Sequence, residues 1–302
     1  MNYQELNYVL CIAKHQSLTK AAQELYVSQP TLTKHLQKLE REMNGKLFNR
    51  NGNIYTPTLL GRKYMDYTRK ILEVRQDWEK ELKDLTDCRK GELNVAFPLM
   101  RSSCMVPQIL DAFWKNYPEV QVNILEEAYS IQEKLLLDDK LDFAIFNETK
   151  EHPRLEYEIL KKEEILLVMP ADHPIAKAGK IQKNRNYPWM DLKLLKDEAF
   201  ILHFPEQTTG KIIRELFEEY DIYPHVPACS RNTETCVKLC MRGRGICFLP
   251  ETYVKNMEFT RKLSCFSIGD KEISSTLTIA YRKGTYLPQY ARDFIEIARK
   301  SI

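Results

Sequence analysis

A run of short capped helices followed at once by a two-stranded hairpin, all within the first sixty residues, constrains this chain more than any other feature. From Leu6 the apolar positions Leu6, Val9, Leu10 and Ala13 recur at helical spacing. Ser17 stands where an N-cap belongs, its hydroxyl able to take an orphan amide of the next turn. Ala21, Ala22 and Leu25 make the inner face of a second helix, and the small alanines let two helices cross at close range. Tyr26-Val27 forms the turn, Ser28 caps a third helix, and Pro30 falls in its first turn, where a missing amide costs nothing. Val27, Leu32, Leu36 and Leu39 point one way, which leaves Gln29, Thr33, Lys34, Gln37 and Lys38 on other faces. Amides, hydroxyls and ammonium groups read base edges and hold phosphates, although an ordinary solvated helix carries the same types. The next segment decides between the two. Leu47-Phe48-Asn49-Arg50 and Ile54-Tyr55-Thr56 flank Asn51-Gly52, a hairpin pair suited to positive φ at both central residues. A wing directly after a helix-turn-helix sets Arg50 and Asn53 beside a phosphate or a minor groove.

Charge supports that reading by its distribution. The whole chain of 302 residues carries only +3, yet the stretch through Lys70 holds eleven basic residues against five acidic ones, a local +6. A basic head on a near-neutral body fits a polyanion-binding module joined to something else. The length itself implies two or three domains. The N-terminus Met1-Asn2-Tyr3-Gln4-Glu5 has no basic region followed by an apolar run, and apolar stretches such as Ile165 to Met169 are too short for a membrane span. The expectation is a cytoplasmic protein with no membrane partner, its eight scattered cysteines reduced and no Cys-x-x-Cys pair among them.

Taken together, Ser17-Leu18-Thr19-Lys20-Ala21-Ala22, Leu25-Tyr26-Val27-Ser28-Gln29-Pro30-Thr31-Leu32-Thr33, Leu39-Glu40, Leu47-Phe48-Asn49-Arg50 and Thr58 through Gly61 resemble the signature of LysR-type transcriptional regulators. The resemblance implies that the helix opening at Ser28 enters the major groove. It also implies that Gln29, Pro30, Thr33 and Lys34 approach bases or phosphates and that Arg50 contacts the backbone. Thr19, Thr31, Lys38 and Asn53 complete the expected DNA-facing set. Pro57, where the family usually has leucine, and Leu60, where alanine is usual, depart from the pattern and bear on the angle between wing and following helix.

From Leu60 an apolar ladder runs through Tyr64, Tyr67, Ile71, Val74, Trp78, Leu82 and Leu85, with charged residues between. Its steps of mostly three and four are coiled-coil spacing. The stripe could lie on the chain's own body, but pairing with the same helix of a second subunit is the favoured expectation. That would set two recognition helices on a dyad-symmetric site. LysR-type proteins dimerise through this helix and are commonly tetramers, so the resemblance agrees.

From residue 90 the pattern reads strand at Gly91 to Phe97, helix at Val106 to Trp114, strand at Val120 to Leu125, helix around Leu135 to Leu137, and strand at Leu141 to Phe146. Such alternation implies a parallel sheet with helices on its faces. It restarts at Ile165 to Met169, with Phe200 to Leu202, Lys211 to Phe217, Thr235 to Met241 and Ile246 to Leu249. A last strand, Thr276 to Tyr281, and a closing helix, Gln289 to Lys300, fit the first unit, so the chain is expected to cross between two lobes near Lys161 and again near Ser267. Two such lobes resemble a periplasmic-binding-protein fold, the effector domain of LysR-type proteins. Tyr117-Pro118-Glu119-Val120, Leu141 through Ile145, His173-Pro174 and Gly243 through Pro250 carry that weaker likeness.

The expected architecture is therefore a winged helix-turn-helix DNA-binding domain at 1–60, a linker or dimerisation helix at 61–88, and an α/β two-lobe effector domain at 89–302. Lobe I comprises 89–162 and 267–302, and lobe II comprises 163–266. A ligand in such a fold sits outside the carboxyl ends of the strands, between the lobes. Candidates are Leu99, Met100, Arg101, Ser102 and Ser103 after the first strand, Phe146 and Asn147 after the third, His203, Phe204, Thr208 and Thr209, and Asn232 with Thr233. Ser102 and Ser103 could cap a helix while facing the ligand, and Arg101 could pair with an anionic effector; a plain cap or surface loop is the alternative for each. Cys236 and Cys240 at i, i+4 cannot close a good disulfide and have no histidine at metal spacing, which favours buried structural cysteines. Cys104, near the expected cleft, is a candidate exposed thiol, and Glu126-Glu127 and Glu163-Glu164 read as solvated charge. His203 has no nucleophile motif beside it, and there is no glycine-rich phosphate loop or metal signature. The functional expectation is a regulator, not an enzyme, without cofactor. It would bind promoter DNA and a small-molecule effector and could touch RNA polymerase. Rivals are a thiol-redox regulator of the same architecture, a solute-binding receptor and a binding-protein-like enzyme.

Overall fold

A computed structural model describes residues 3–87, 90–98, 101–147 and 151–301. The chain forms two compact units, Met1–Leu82 and Lys83–Ile302.

The first unit opens with α1 (Tyr3–His15), α2 (Leu18–Glu24) and α3 (Gln29–Glu42). Ser17 accepts from Lys20 N at the start of α2, and Ser28 accepts from Thr31 N at the start of α3, so both expected caps are present. Tyr26 sits between them at φ +54°, turning the chain. Val9, Ile12, Leu18, Ala21, Leu32, Leu36 and Leu39 close a small core with Leu47, Phe48 and Met65. The wing is β1 (Phe48–Asn51) against β2 (Ile54–Pro57), with Asn51 opposite Ile54. This register corrects the expected turn: the two loop residues are Gly52-Asn53, and φ is positive at Gly52 alone. Glycine at the first central position is the type II′ arrangement. Asn51 pairs in the strand instead.

Helix α4 (Leu59–Asp87) runs 29 residues, about 44 Å at 1.5 Å per residue, and begins two residues before the expected linker. Tyr64 packs against the N-terminal core. Beyond it, Tyr67, Val74, Trp78 and Leu85 are exposed, so in the single chain the stripe is open to solvent.

The second unit is built on one sheet of nine strands. Its elements are β3 (Lys90–Phe97), α5 (Ser102–Phe113), β4 (Glu119–Glu126), α6 (Tyr129–Leu137), β5 (Phe143–Phe146) and the long β6 (Leu155–Pro170). There follow β7 (Ala199–Leu202), α7 (Thr208–Glu219), β8 (His225–Cys229), α8 (Thr233–Met241), β9 (Ile246–Pro250) and α9 (Glu251–Asn256). The chain ends with β10 (Leu263–Phe266), β11 (Ser274–Arg282) and α10 (Gln289–Ser301). The order is β4-β3-β5-β11-β6-β9-β7-β8, with β10 also on β6. β3 is parallel to β4 and β5, and β7 is parallel to β8 and β9.

Two lobes therefore share one strand. β6 pairs with β11 along Leu155 to Glu164 in the first lobe, then with β9 and β10 along Ile165 to Pro170 in the second. The crossing lies at Glu164/Ile165, three residues beyond the expected Lys161, and the return lies between Phe266 and Ser274. The lobes also share a core. Phe97, Phe113, Phe143, Ile279 and Phe294 of the first belong to the same apolar cluster as Ile201, Val237 and Leu249 of the second. A separate cluster around Phe200, Phe217 and Phe248 fills the far face of the second lobe.

Candidate functional site

On the first unit, α3 presents a polar edge. Gln29, Pro30, Thr31, Lys34 and Lys38 are exposed and Thr33 is half-buried, while Leu32, Leu36 and Leu39 anchor the opposite face. Thr19 reaches across from α2, its hydroxyl donating to Gln29 Oε1 at 3.1 Å, and Thr33 bonds back to Gln29 O at 2.9 Å. Ser28 and Thr31 share a hydroxyl contact of 2.7 Å. The Gln29 side chain, which would meet a base edge, is thus held by Thr19 of the neighbouring helix. Arg50 and Asn53 are exposed on the wing. Arg50 Nε donates to Gly52 O at 2.9 Å and its guanidinium lies 5.9 Å from the Tyr55 ring centre, which orients the charge on the hairpin.

Glu40, quoted only as part of a signature in the sequence, ties helix to wing. Its buried carboxylate accepts from Leu47 N at 2.9 Å, Phe48 N at 3.4 Å and Lys46 Nζ at 2.8 Å. A carboxylate in the last turn of a helix is electrostatically unfavourable, which is the available sequence signal that something must claim it. At the junction Thr58 donates to Lys46 O at 2.6 Å and accepts from Gly61 N at 3.0 Å. A Cβ on Gly61 would stand 2.0 Å from Leu47 O, so only glycine lets α4 start against the wing.

In the second unit a cleft of about 210 Å³ opens outside the carboxyl ends of β3, β4, β5, β7 and β9. Of the residues expected there, Arg101, Phe146, Asn147, His203, Thr208, Thr209 and Thr233 line it. Phe204, Asn232, Ser102 and Ser103 are not on its wall, and Leu99 and Met100 lie outside the described residues. Asn232 instead caps α8, accepting from Thr235 N. Ser102 does not cap α5; it bonds the Glu126 carboxylate, and the cap position is Arg101, whose side chain makes no capping bond. Residues not expected include Gln132, Tyr129 and Tyr253. Gln132 and Tyr253 sit on helices, where nothing in the local pattern distinguishes a cleft wall from a core.

Arg101 also departs from expectation. It is buried against Glu163, with Nη1 3.0 Å from Oε2 and Nη2 on Oε1, and it donates to Asn147 Oδ1 at 3.3 Å while lying over the Tyr253 ring. Its charge is answered internally and is not left for an anion. Glu163 and Glu164 are accordingly buried, and Glu126 is half-buried. Burial alone would push the Glu163 carboxyl up, but the Arg101 charge and hydrogen bonds outweigh it and hold it below the usual carboxylate range. At Glu164 burial outweighs the Ser267 hydrogen bond and the Arg185 charge, and the carboxyl is pushed up. Across the cleft the Thr208 hydroxyl donates to Asn147 O at 3.0 Å, joining second lobe to first.

His203 is buried with Nε2 3.2 Å from Thr233 Oγ1; burial, aided by the Arg214 charge, lowers its pKa to about 4, so it is a neutral ring near pH 7. Cys104 is not the exposed thiol expected. It is buried, bonded to Arg101 O at 3.2 Å, and burial pushes its pKa to about 11. Cys236, Cys240 and Cys247 are buried as well, whereas Cys229 is exposed.

A winged helix with a polar edge on its third helix, followed by a two-lobe α/β domain with a cleft at its strand ends, is the architecture of a DNA-binding transcriptional regulator. The family description "Bacterial regulatory helix-turn-helix protein, lysR family" matches residues 3–62, and "LysR substrate binding domain" matches residues 87–302. The chain belongs to the LysR family of bacterial transcriptional regulators. It is 25% identical to the uncharacterized HTH-type transcriptional regulator YcgK of Bacillus subtilis, covering 100% of this chain and 95% of that protein. It is 28% identical to YwbI of the same organism over 98% and 95%. Among solved structures, a full-length OxyR variant from Pseudomonas aeruginosa superposes with TM-score 0.68 at 22% identity, covering 100% and 94% of the two chains. CbnR complexed with its target DNA superposes with TM-score 0.56 at 22% identity, covering 100% and 99%. No helix among the described residues is long and apolar enough to cross a membrane.

Proposed function

We propose that this regulator binds promoter DNA as a dimer and answers to a small molecule held between its lobes. In this reading α3 enters the major groove with Gln29, Thr33 and Lys34 toward bases and phosphates, and the wing Arg50 steadies the complex on the backbone. The observation that carries it is the bracing of Gln29 by Thr19, since a solvated helix face has no need of a fixed amide. The exposed stripe of α4 supports pairing with a second copy, which brings two recognition helices to one duplex. Effector binding shifts the heads only through its difference in affinity for two lobe arrangements.

The test is binding of the full chain to a mapped operator. Affinity should fall with salt at a log–log slope of about 0.9 per phosphate contact. Gln29→Ala should cost roughly 1–3 kcal/mol on the operator and much less on random duplex. Equal losses on both would remove Gln29 from base recognition. The thiol-redox rival loses its main candidate with the burial of Cys104.

A further inference from the structure

The hydrogen-bonding capacity of the cleft differs from one side to the other. Gln132, on α6, is fully buried, and its Nε2 donates to Phe97 O and to Glu127 O, each at 2.7 Å. Those two carbonyls fix the amide, because turning it over would aim its oxygen at two acceptors. Among the described residues Gln132 Oε1 is left with no partner, and a buried acceptor is rarely left so. Beside it on the cleft wall, the Glu127 carboxylate has no ion-pair partner among the described residues.

Several of the cleft's side-chain donors, by contrast, are committed. Arg101 is spent on Glu163 and Asn147, the Thr208 hydroxyl on Asn147 O, and the Tyr129 hydroxyl on Glu133 at 2.5 Å. The remaining charges are Glu206, paired with Arg231, and the unopposed Glu127, so the wall is net acidic. On the other side α7 opens onto the cleft with Thr208 and Thr209 in its first turn. Its N-cap Gln207 makes no capping bond, because its side chain is turned to Arg231 O and Phe204 N. An uncapped first turn suits a carboxylate.

We infer that the cleft takes a small zwitterion of amino-acid size, its ammonium donating to Gln132 Oε1 and facing Glu127, its carboxylate on the first-turn amides of α7. This rests on the cleft being the effector site, and it replaces the expectation of a simple anion. A ligand of this kind supplies both the missing donor and the missing positive charge, and the volume of about 210 Å³ admits it.

The experiment is calorimetric titration of the full chain with the common amino acids and with the des-amino carboxylic acid of each. At least one amino acid should bind, its des-amino partner at least about tenfold more weakly. Glu127→Gln should weaken the amino acid and leave the des-amino acid unchanged. Gln132→Met should do the same; should that variant fail to fold, Glu127→Gln still decides. Des-amino acids that bind as tightly as their amines, or an amino acid indifferent to Glu127→Gln, overturn the ligand class and leave the cleft reading standing. Binding that survives Thr208→Phe, which fills the cleft, overturns the cleft reading itself. Failure of every amino acid to bind at about 10 mM, a range in which even millimolar affinities register, overturns the proposal.

Discussion

Glu40 and His203 show how single side chains here hold position by giving up solvent. Glu40 gathers two backbone amides and Lys46, so Glu40→Ala strands buried donors; it should cost about 1–3 kcal/mol and loosen the wing, read as a lower denaturation midpoint and weaker DNA binding. His203 is held neutral in the fold, its pKa about 4 against an ordinary 6.5. Between those values the unfolded chain takes up a proton that the folded chain refuses. The stabilisation is therefore full above pH 6.5 and is lost as pH falls toward 4, on the order of 3 kcal/mol in all. Denaturant titrations across that window should show the decline, and His203→Gln should flatten it. Residues with local partners are legible in sequence: Ser17 and Ser28 announce themselves because a cap bonds three residues ahead. Arg101 and Glu163 do not, because they lie 62 residues apart, and a doublet such as Glu163-Glu164 looks solvated until β6 is known to be central.

Among the elements, the winged unit is legible from its caps and its turn, and α4 because it repeats one period over its length. The hairpin turn is misplaced by one residue because Asn-Gly and Gly-Asn both suit two-residue turns, and only the Asn51–Ile54 pairing chooses. β8 escapes notice, since His225-Val226-Pro227-Ala228-Cys229 contains a proline, tolerated there because β8 lies at the sheet edge. β6 is seen only in its apolar half, because the segment pairing with β11 is studded with charge. Two outcomes belong at this scale. Gly61→Ala forces α4 off Leu47 and should cost about 1–3 kcal/mol in thermal or denaturant unfolding, with DNA binding impaired. Val74→Glu with Trp78→Glu places charge on the open stripe of α4 and should shift light-scattering mass toward monomer without unfolding either unit.

For the molecule as a whole, alternating strands and helices make the two lobes legible, while the shared apolar layer is not, because periodicity says which face is buried and not against what. Arg101 and Glu163 lie where that layer meets the crossing strand. Arg101→Ala leaves a buried carboxylate without its counter-charge and should lower stability by about 3–5 kcal/mol, whereas Arg101→Met with Glu163→Leu should recover much of the loss in the same unfolding assay. The unbroken course of β6 through both halves has one more consequence. With one ribbon of backbone running from half to half, and its neighbour β11 paired up to the junction apart from a bulge at Leu160, the halves have little slack on which to swing. Any rearrangement must wind the ribbon as a torsion bar is wound, giving small angles, a restoring force and a spring-like return once the load leaves.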